Sequence, residues 1–99
     1  MEFRIIKSPS KGTIDILMRR KGSEKKSIPA CTDAVGLIQG RMIDMIRAAD
    51  IAEKAVGVTA EDIKGNCPQN MIMLAIFGDT ASVESAMREV KSGLLEEKR

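Results

Sequence analysis

The sequence contains no histidine, tryptophan or tyrosine, and only 2% of its 99 residues are aromatic. The absence of histidine excludes His-based catalytic triads, histidine general bases and His-ligated zinc. Because aromatic side chains are scarce, the core must be built from aliphatic side chains and the seven methionines. The length is that of one small domain, which would gain stability by burying further surface in an oligomer.

Long apolar runs and a strong excess of one charge are also missing. No run approaches the roughly 20 apolar residues that a membrane helix needs. Sixteen basic and 14 acidic residues give a formal net charge of +2, which is too balanced for a dedicated nucleic-acid binder. With two cysteines and no signal peptide, we expect a cytosolic protein that binds neither nucleic acid nor membranes.

Apolar periodicity predicts strands at 2–6, 13–19, 33–40 and 71–77, with a weaker strand at 58–64. The spacing changes to three and four residues in the segment 41–56, which predicts a helix capped by Gly57. Its apolar face is predicted to hold Met42, Met45, Ile46, Ala49, Ala52 and Val56.

A second helix is expected after Asp79 or Thr80, either of which can cap it. Its buried face is predicted to hold Val83, Ala86, Met87 and Val90. This order of elements predicts an α/β sandwich of ferredoxin-like type, an antiparallel sheet with two helices on one side, as a single domain over 1–99. Met42 and Met45 are interpreted as core or subunit-interface packing, not as metal ligands.

The segment "KGNCPQN" at 64–70 places Cys67 in a short polar stretch directly before Pro68. The only other cysteine, Cys31, precedes a predicted strand and is interpreted as a small buried apolar residue. An isolated Cys-Pro pair is ordinarily an inert thiol. A role for Cys67 therefore depends on what the rest of the chain places around it.

Several motifs resemble the bacterial microcompartment (BMC) shell domain. They are the strand "GLI" at 36–38, the helix residues "AAD" at 48–50 with Lys54 four residues later, and "GD" at 78–79 before the second helix. Their order and spacing match that family over about residues 34–90. The resemblance implies a structural protein of the microcompartment shell, not an enzyme. It would form a cyclic homohexamer and assemble with other microcompartment shell proteins.

The order of elements differs from that of the usual shell domain, because about thirty residues precede the "GLI" strand and little follows the second helix. The segment "RIIKSPSKGTIDIL" at 4–17 is similar to the N-terminal part of circularly permuted shell proteins. The resemblance implies a permuted BMC domain. Residues 1–30 would hold the transposed strands and a loop, 31–92 the core, and 93–99 a charged tail.

In the usual family, the loop before the last core strand lines the pore of the hexamer. The same position here carries Gly65-x-Cys67-Pro68-Gln69, which is similar to the iron–sulfur-binding shell proteins of glycyl-radical propanediol-type microcompartments. This implies an encapsulated glycyl-radical enzyme system as a partner, and an iron–sulfur cluster, expected to be four-iron four-sulfur, at the pore axis. Because such a cluster takes about four thiolates, several subunits must share it, each through Cys67 as the metal ligand.

The neighbours of Cys67 suit this role. Gly65 permits backbone angles closed to other residues where several loops crowd one axis, and Pro68 fixes the backbone after the ligand. Gln69 can donate a hydrogen bond toward the cluster, and Lys64 would offset its negative charge. The predicted pore lining also includes Lys64, Asn66 and Asn70.

Lys54 matches the family lysine at the rim of the hexamer, where it contacts the next hexamer across the shell edge. The alternative is a solvated lysine paired with Asp50 along the helix. Two other functions stay open: a plain shell protein with a small-molecule pore and no cluster, and a small soluble iron–sulfur carrier. An enzyme with Cys67 as nucleophile is disfavoured, since only Lys64 could serve as its base.

Overall fold

The computed structural model describes residues 2–20, 32–63 and 71–97. The elements in chain order are β1 (Glu2–Lys7), α1 (Lys11–Arg20), β2 (Ala34–Arg41), α2 (Met42–Lys54), β3 (Val58–Ile63), β4 (Met71–Gly78) and α3 (Thr80–Glu97). None of the helices in this described part of the chain combines the length and apolar character needed to cross a bilayer.

The four strands form one antiparallel sheet in the order β1-β2-β4-β3. The strand β4 is central, as its continuous apolar run predicts, and β1 and β3 are the edges. Its alternate residues face two different hydrophobic cores, with Leu74 and Ile76 on one side and Ala75 and Phe77 on the other. An apolar side chain at every position is therefore required, because both faces of the strand are covered.

The larger core lies between the sheet and the helices α2 and α3, which cover one face as the sequence predicts. The predicted buried face of α3 is confirmed, since Val83, Ala86, Met87 and Val90 are all buried. The helix α2 ends at Lys54, with Ala55 and not Gly57 as its C-cap residue. Gly57 lies in the turn that follows and adopts φ +85°, a conformation that side-chain-bearing residues rarely take. The α/β sandwich with an antiparallel sheet is thus confirmed.

The strand predicted at 13–19 is wrong, because this segment belongs to the helix α1. The alternation of Ile14, Ile16 and Met18 suggested a strand. In the helix, residues three positions apart share a face instead, and Ile14 and Leu17 pack on the second face of the sheet. Ser10 begins the helix, since its Oγ accepts a hydrogen bond from the Thr13 amide at 3.2 Å. The sheet therefore carries a third helix, on the face expected to have none.

Two further expectations change at the helices. The face of α2 is rotated from its predicted position, so that Met45 and Ala52 are buried while Met42 and Ile46 are exposed. Val56, predicted on the same face, is exposed in the turn beyond the end of the helix. The charged tail expected from residue 93 is also wrong for the described residues, because α3 continues to Glu97. Leu94 holds this end of the helix, since it is buried in the larger core.

Candidate functional site

The candidate site is the connection between β3 and β4. Its residues 64–70 lie outside the described residues, and so do the predicted cluster and pore residues Lys64, Gly65, Asn66, Cys67, Pro68, Gln69 and Asn70. Cys31 lies outside them as well. The strands on either side are described, and they fix where the connection is attached to the fold.

The attachment points lie at one end of the sheet. Ile63 pairs with Met73, so β3 and β4 are hydrogen-bonded neighbours up to this end. Met71, where β4 begins, pairs with Arg41, the last residue of β2. The helix α2 starts at the next residue, Met42. The segment that carries Cys67 is therefore anchored beside the N-terminal end of α2.

The charges at this end are of both signs, because Asp44 lies in the first turn of α2 and Asp62 directly precedes Ile63. Arg41 is exposed, and as the N-cap residue of α2 it makes no side-chain capping hydrogen bond. The first turn of a helix also presents backbone amides with partial positive charge.

The metal ligands cannot come from one chain's described residues. Within residues 2–20, 32–63 and 71–97, no group of three or more Cys, Asp or Glu side chains is placed to hold a metal ion. Since the segment 64–70 contributes one thiol per chain, an iron–sulfur cluster fits this protein only if several copies share it.

Lys54 lies at the opposite end of α2 from these attachment points. The 13 residues of this helix span about 20 Å at 1.5 Å per residue. The Lys54 Nζ donates to Asp50 Oδ2 at 3.0 Å, and Arg47 Nη1 donates to the same oxygen at 3.1 Å. The helical pair expected as the alternative for Lys54 is thus present, and the Lys54 side chain as a whole remains three-quarters exposed.

The structure leaves one apolar side of α2 exposed, including Met42, which the sequence analysis interpreted as core or subunit-interface packing, and Ile43, which it did not name. Ile43 is 74% exposed, Ile46 is 64% exposed and Met42 is 46% exposed. These residues are separated by three and four positions, so they form one stripe on the helix. The sequence indicated this surface, because the apolar residues of α2 extend around more of the helix than the side that packs on the sheet.

A model of the BMC domain family matches residues 34–98. The solved structure of the GrpU microcompartment shell protein from Clostridiales bacterium 1_7_47FAA is 63% identical, with a TM-score of 0.72, covering 92% of this chain and 88% of that one. The GrpU microcompartment shell protein from Pectobacterium wasabiae is 37% identical, with a TM-score of 0.73, covering 91% of this chain and 99% of that one. Both are ligand-free structures. No curated protein gave a significant match.

The fold and these similarities define the class: the chain belongs to the BMC-domain family. It is a bacterial microcompartment shell protein, located in the shell, and its role is structural rather than enzymatic. Proteins of this kind assemble into oligomers with other shell proteins.

Proposed function

We propose that this chain forms a cyclic homohexamer in the shell, with the segment 64–70 of each copy lining a central pore. The ring would bind an iron–sulfur cluster through Cys67 and transfer electrons, or the cluster itself, across the shell. The observation that supports this most directly is that the segment 64–70, which is anchored between adjacent strands at one end of the sheet, holds one cysteine.

The proposal follows from counting ligands. A four-iron four-sulfur cluster takes about four thiolates, and rotation about a common axis is the economical way to bring identical thiols together. In a six-fold ring, not every Cys67 can bind one such cluster. The bound ring would then be asymmetric, with some thiols free or replaced by an external ligand.

The other residues of the segment have separate roles in this proposal. Gly65 and Pro68 shape the backbone around Cys67, and Gln69 donates a hydrogen bond toward the sulfur. Lys64, Asn66 and Asn70 line the pore. Lys54, at the far end of α2, contacts the next hexamer.

We further propose that the domain is circularly permuted. The family model begins at residue 34, so β1 and α1 precede the matched segment. The Gly-x-Cys-Pro-Gln motif supports an encapsulated glycyl-radical enzyme system as the cargo of this shell.

Native mass spectrometry of protein purified without oxygen tests the function. We expect a particle of six chains that carries iron and sulfide, with visible absorption from sulfur-to-iron charge transfer. Cys67→Ser is expected to remove the iron and the absorption and to leave the six-chain particle intact, because serine keeps the size of the side chain.

Cys31→Ser is the matched control and should retain the cluster. Iron that persists in Cys67→Ser, or disappears in Cys31→Ser, would contradict the assignment of the ligand. A six-chain particle without iron in the wild type would leave a plain pore lined by Asn66, Gln69 and Asn70. A small iron-containing species without a ring would instead favour the soluble carrier.

A further inference from the structure

The β1 edge of the molecule carries a groove between β1 and α3, which we call the β1–α3 groove. Its volume is about 540 Å³. The apolar surface of the groove comes from Phe3 and Ile5 of β1 and from Met87 of α3. Its lining residues are Phe3, Arg4, Ile5, Glu84, Met87, Arg88 and Lys91.

This groove is positively charged along α3. Its one acidic residue, Glu84, already forms an ion pair with Lys7 at 3.2 Å. Within the described part of the chain, no carboxylate forms an ion pair with Arg88 or Lys91. Lys91 Nζ instead lies 5.1 Å from the centre of the Phe3 ring. The groove therefore combines an apolar floor with two cations that form no ion pair with a carboxylate of residues 2–20, 32–63 or 71–97.

The opposite edge of the molecule, along β3, is acidic. The charged residues of β3 are Glu61 and Asp62, and the strand contains no basic residue. Asp62 is exposed. It lies on the face of the sheet that carries α2 and α3, because residues two positions apart in a strand share a face and Ala60 packs against the larger core. An acidic side chain thus borders α2 at this edge.

The exposed apolar side of α2 adjoins this acidic edge. Ile51 faces α3, because its Cδ1 would lie 2.6 Å from a Cβ added at Gly93 of that helix. Met42 is nine residues from Ile51, which places it on the opposite side of the helix at about 100° per residue, and Ile46 is one turn from Met42. Met42, Ile46 and Asp62 therefore form one surface at the β3 edge, the acidic edge surface.

The two surfaces lie at the same level of the sheet. Phe3 pairs with Ile38, Ile38 pairs with Leu74, and Leu74 pairs with Asp62. These residues form one row across the four strands, with the groove at one end and the acidic edge surface at the other. A copy placed beside this one in the plane of the sheet brings unlike charges and apolar side chains together.

We propose that the acidic edge surface of one copy docks in the β1–α3 groove of the next copy, head to tail. Asp62 pairs with Lys91 and Arg88 of the neighbour, while Met42 and Ile46 cover its Phe3 and Ile5. Two different surfaces on one chain generate a closed ring when the rotation between neighbours closes. This inference rests on the proposed cyclic assembly and names the surfaces that build it.

Charge reversal tests this contact. Asp62→Lys and Lys91→Glu are each expected to raise the protein concentration at which half of the rings dissociate by roughly tenfold, because each places like charges at the interface. The double variant restores an opposite-charge pair, and we expect it to recover most of the wild-type assembly. Analytical ultracentrifugation over a dilution series, at low and high salt, measures each value.

The matched control exchanges the charges of Lys11 and Asp15, which form an exposed pair on α1, away from both surfaces. Lys11→Glu with Asp15→Lys should leave assembly unchanged. Ile46→Ser tests the apolar part and should weaken assembly at high salt as well as at low salt. Thermal unfolding followed by circular dichroism checks that each variant is folded.

The outcomes separate this inference from the proposed function. If wild-type rings form and neither charge reversal changes their dissociation, the docking surfaces are wrong although the ring stands. The groove would then be open to an acidic segment of another protein. If both single variants dissociate and the double variant does not recover, the pairing is overturned. A wild-type chain that stays monomeric overturns the ring itself.

Discussion

At the scale of single residues, Asp79 connects the sheet to the helix that carries the cations of the groove. Its carboxylate accepts a hydrogen bond from the Ser82 amide at 3.1 Å, and its carbonyl accepts one from the Val83 amide at 2.9 Å. Hydrogen bonds from the Ser82 side chain and backbone hold the pKa of Asp79 below the ordinary value of an aspartate, about 3.8. The charged form of Asp79 therefore stabilises the folded state.

We predict that Asp79→Ala lowers the melting temperature by about 5 °C at neutral pH, because the first turn of α3 loses its cap. Asp79→Asn keeps a side-chain acceptor and should lose less. Because the pKa of Asp79 is lower in the folded protein than in the unfolded chain, its charged form stabilises the fold at pH values above the pKa in the unfolded chain. This stabilisation disappears as the pH falls through the pKa in the folded protein. The wild type and Asp79→Asn should thus converge in acid below about pH 3.8. A constant difference across that range would contradict the charge effect.

At the scale of elements, the contact between α2 and α3 sets the shape of the helical layer. Gly93 lies in α3 with no room for a side chain, because an added Cβ would come within 2.6 Å of Ile51 Cδ1 on α2. Glycine within a helix is unfavourable relative to alanine by about 1 kcal/mol. Its presence here is explained by the close approach of the two helices.

The expected consequence is a coupling between these two positions. Gly93→Ala should change stability little in the wild type, since the gain in helix propensity is offset by the steric overlap. In the background of Ile51→Val, which removes the Cδ1 methyl, Gly93→Ala should be more stabilising by about 0.5–1 kcal/mol. Urea unfolding of the four proteins measures the coupling. The same effect of Gly93→Ala in both backgrounds would show that the overlap is relieved without cost.

At the scale of the whole molecule, the fold is a flat tile. Its principal extents are 39 × 32 × 20 Å, so one dimension is about half of the longest. The helix α2 runs from the end of the sheet that anchors residues 64–70 to Lys54. In a ring with residues 64–70 at its centre, this arrangement directs the C-terminal end of α2 away from them.

Lys54→Ala is therefore expected to leave the six-chain particle intact while reducing the formation of extended sheets of hexamers. Asp50→Asn is the control, because it removes the carboxylate that Lys54 and Arg47 share and leaves the ammonium in place. Native mass spectrometry counts the chains, and electron microscopy of concentrated protein shows the sheets. Normal sheets from Lys54→Ala would contradict a role at the shell edge.

The sequence was sufficient where one local pattern had one structural solution. The apolar run of β4, the helical spacing of α3 and the glycine after α2 each led to the observed element, as did Asp79 as a helix cap. It was insufficient at α1, where a short apolar segment fitted both a strand and a helix. The Ser10 cap that decides between them depends on a hydrogen bond, not on periodicity.

The candidate site and the proposed docking surfaces also differ in what the sequence could predict and what required the structure. The one thiol in the segment 64–70, the lack of histidine and the need for several chains to build a cluster follow from composition and coordination chemistry alone. The two docking surfaces follow only from the tertiary structure. Phe3 and Asp62 are 59 positions apart in the sequence, yet strand order and register place them in one row at opposite edges of the sheet. Local pattern determines which side chains an element buries, whereas long-range pairing decides which of the exposed ones meet a neighbour.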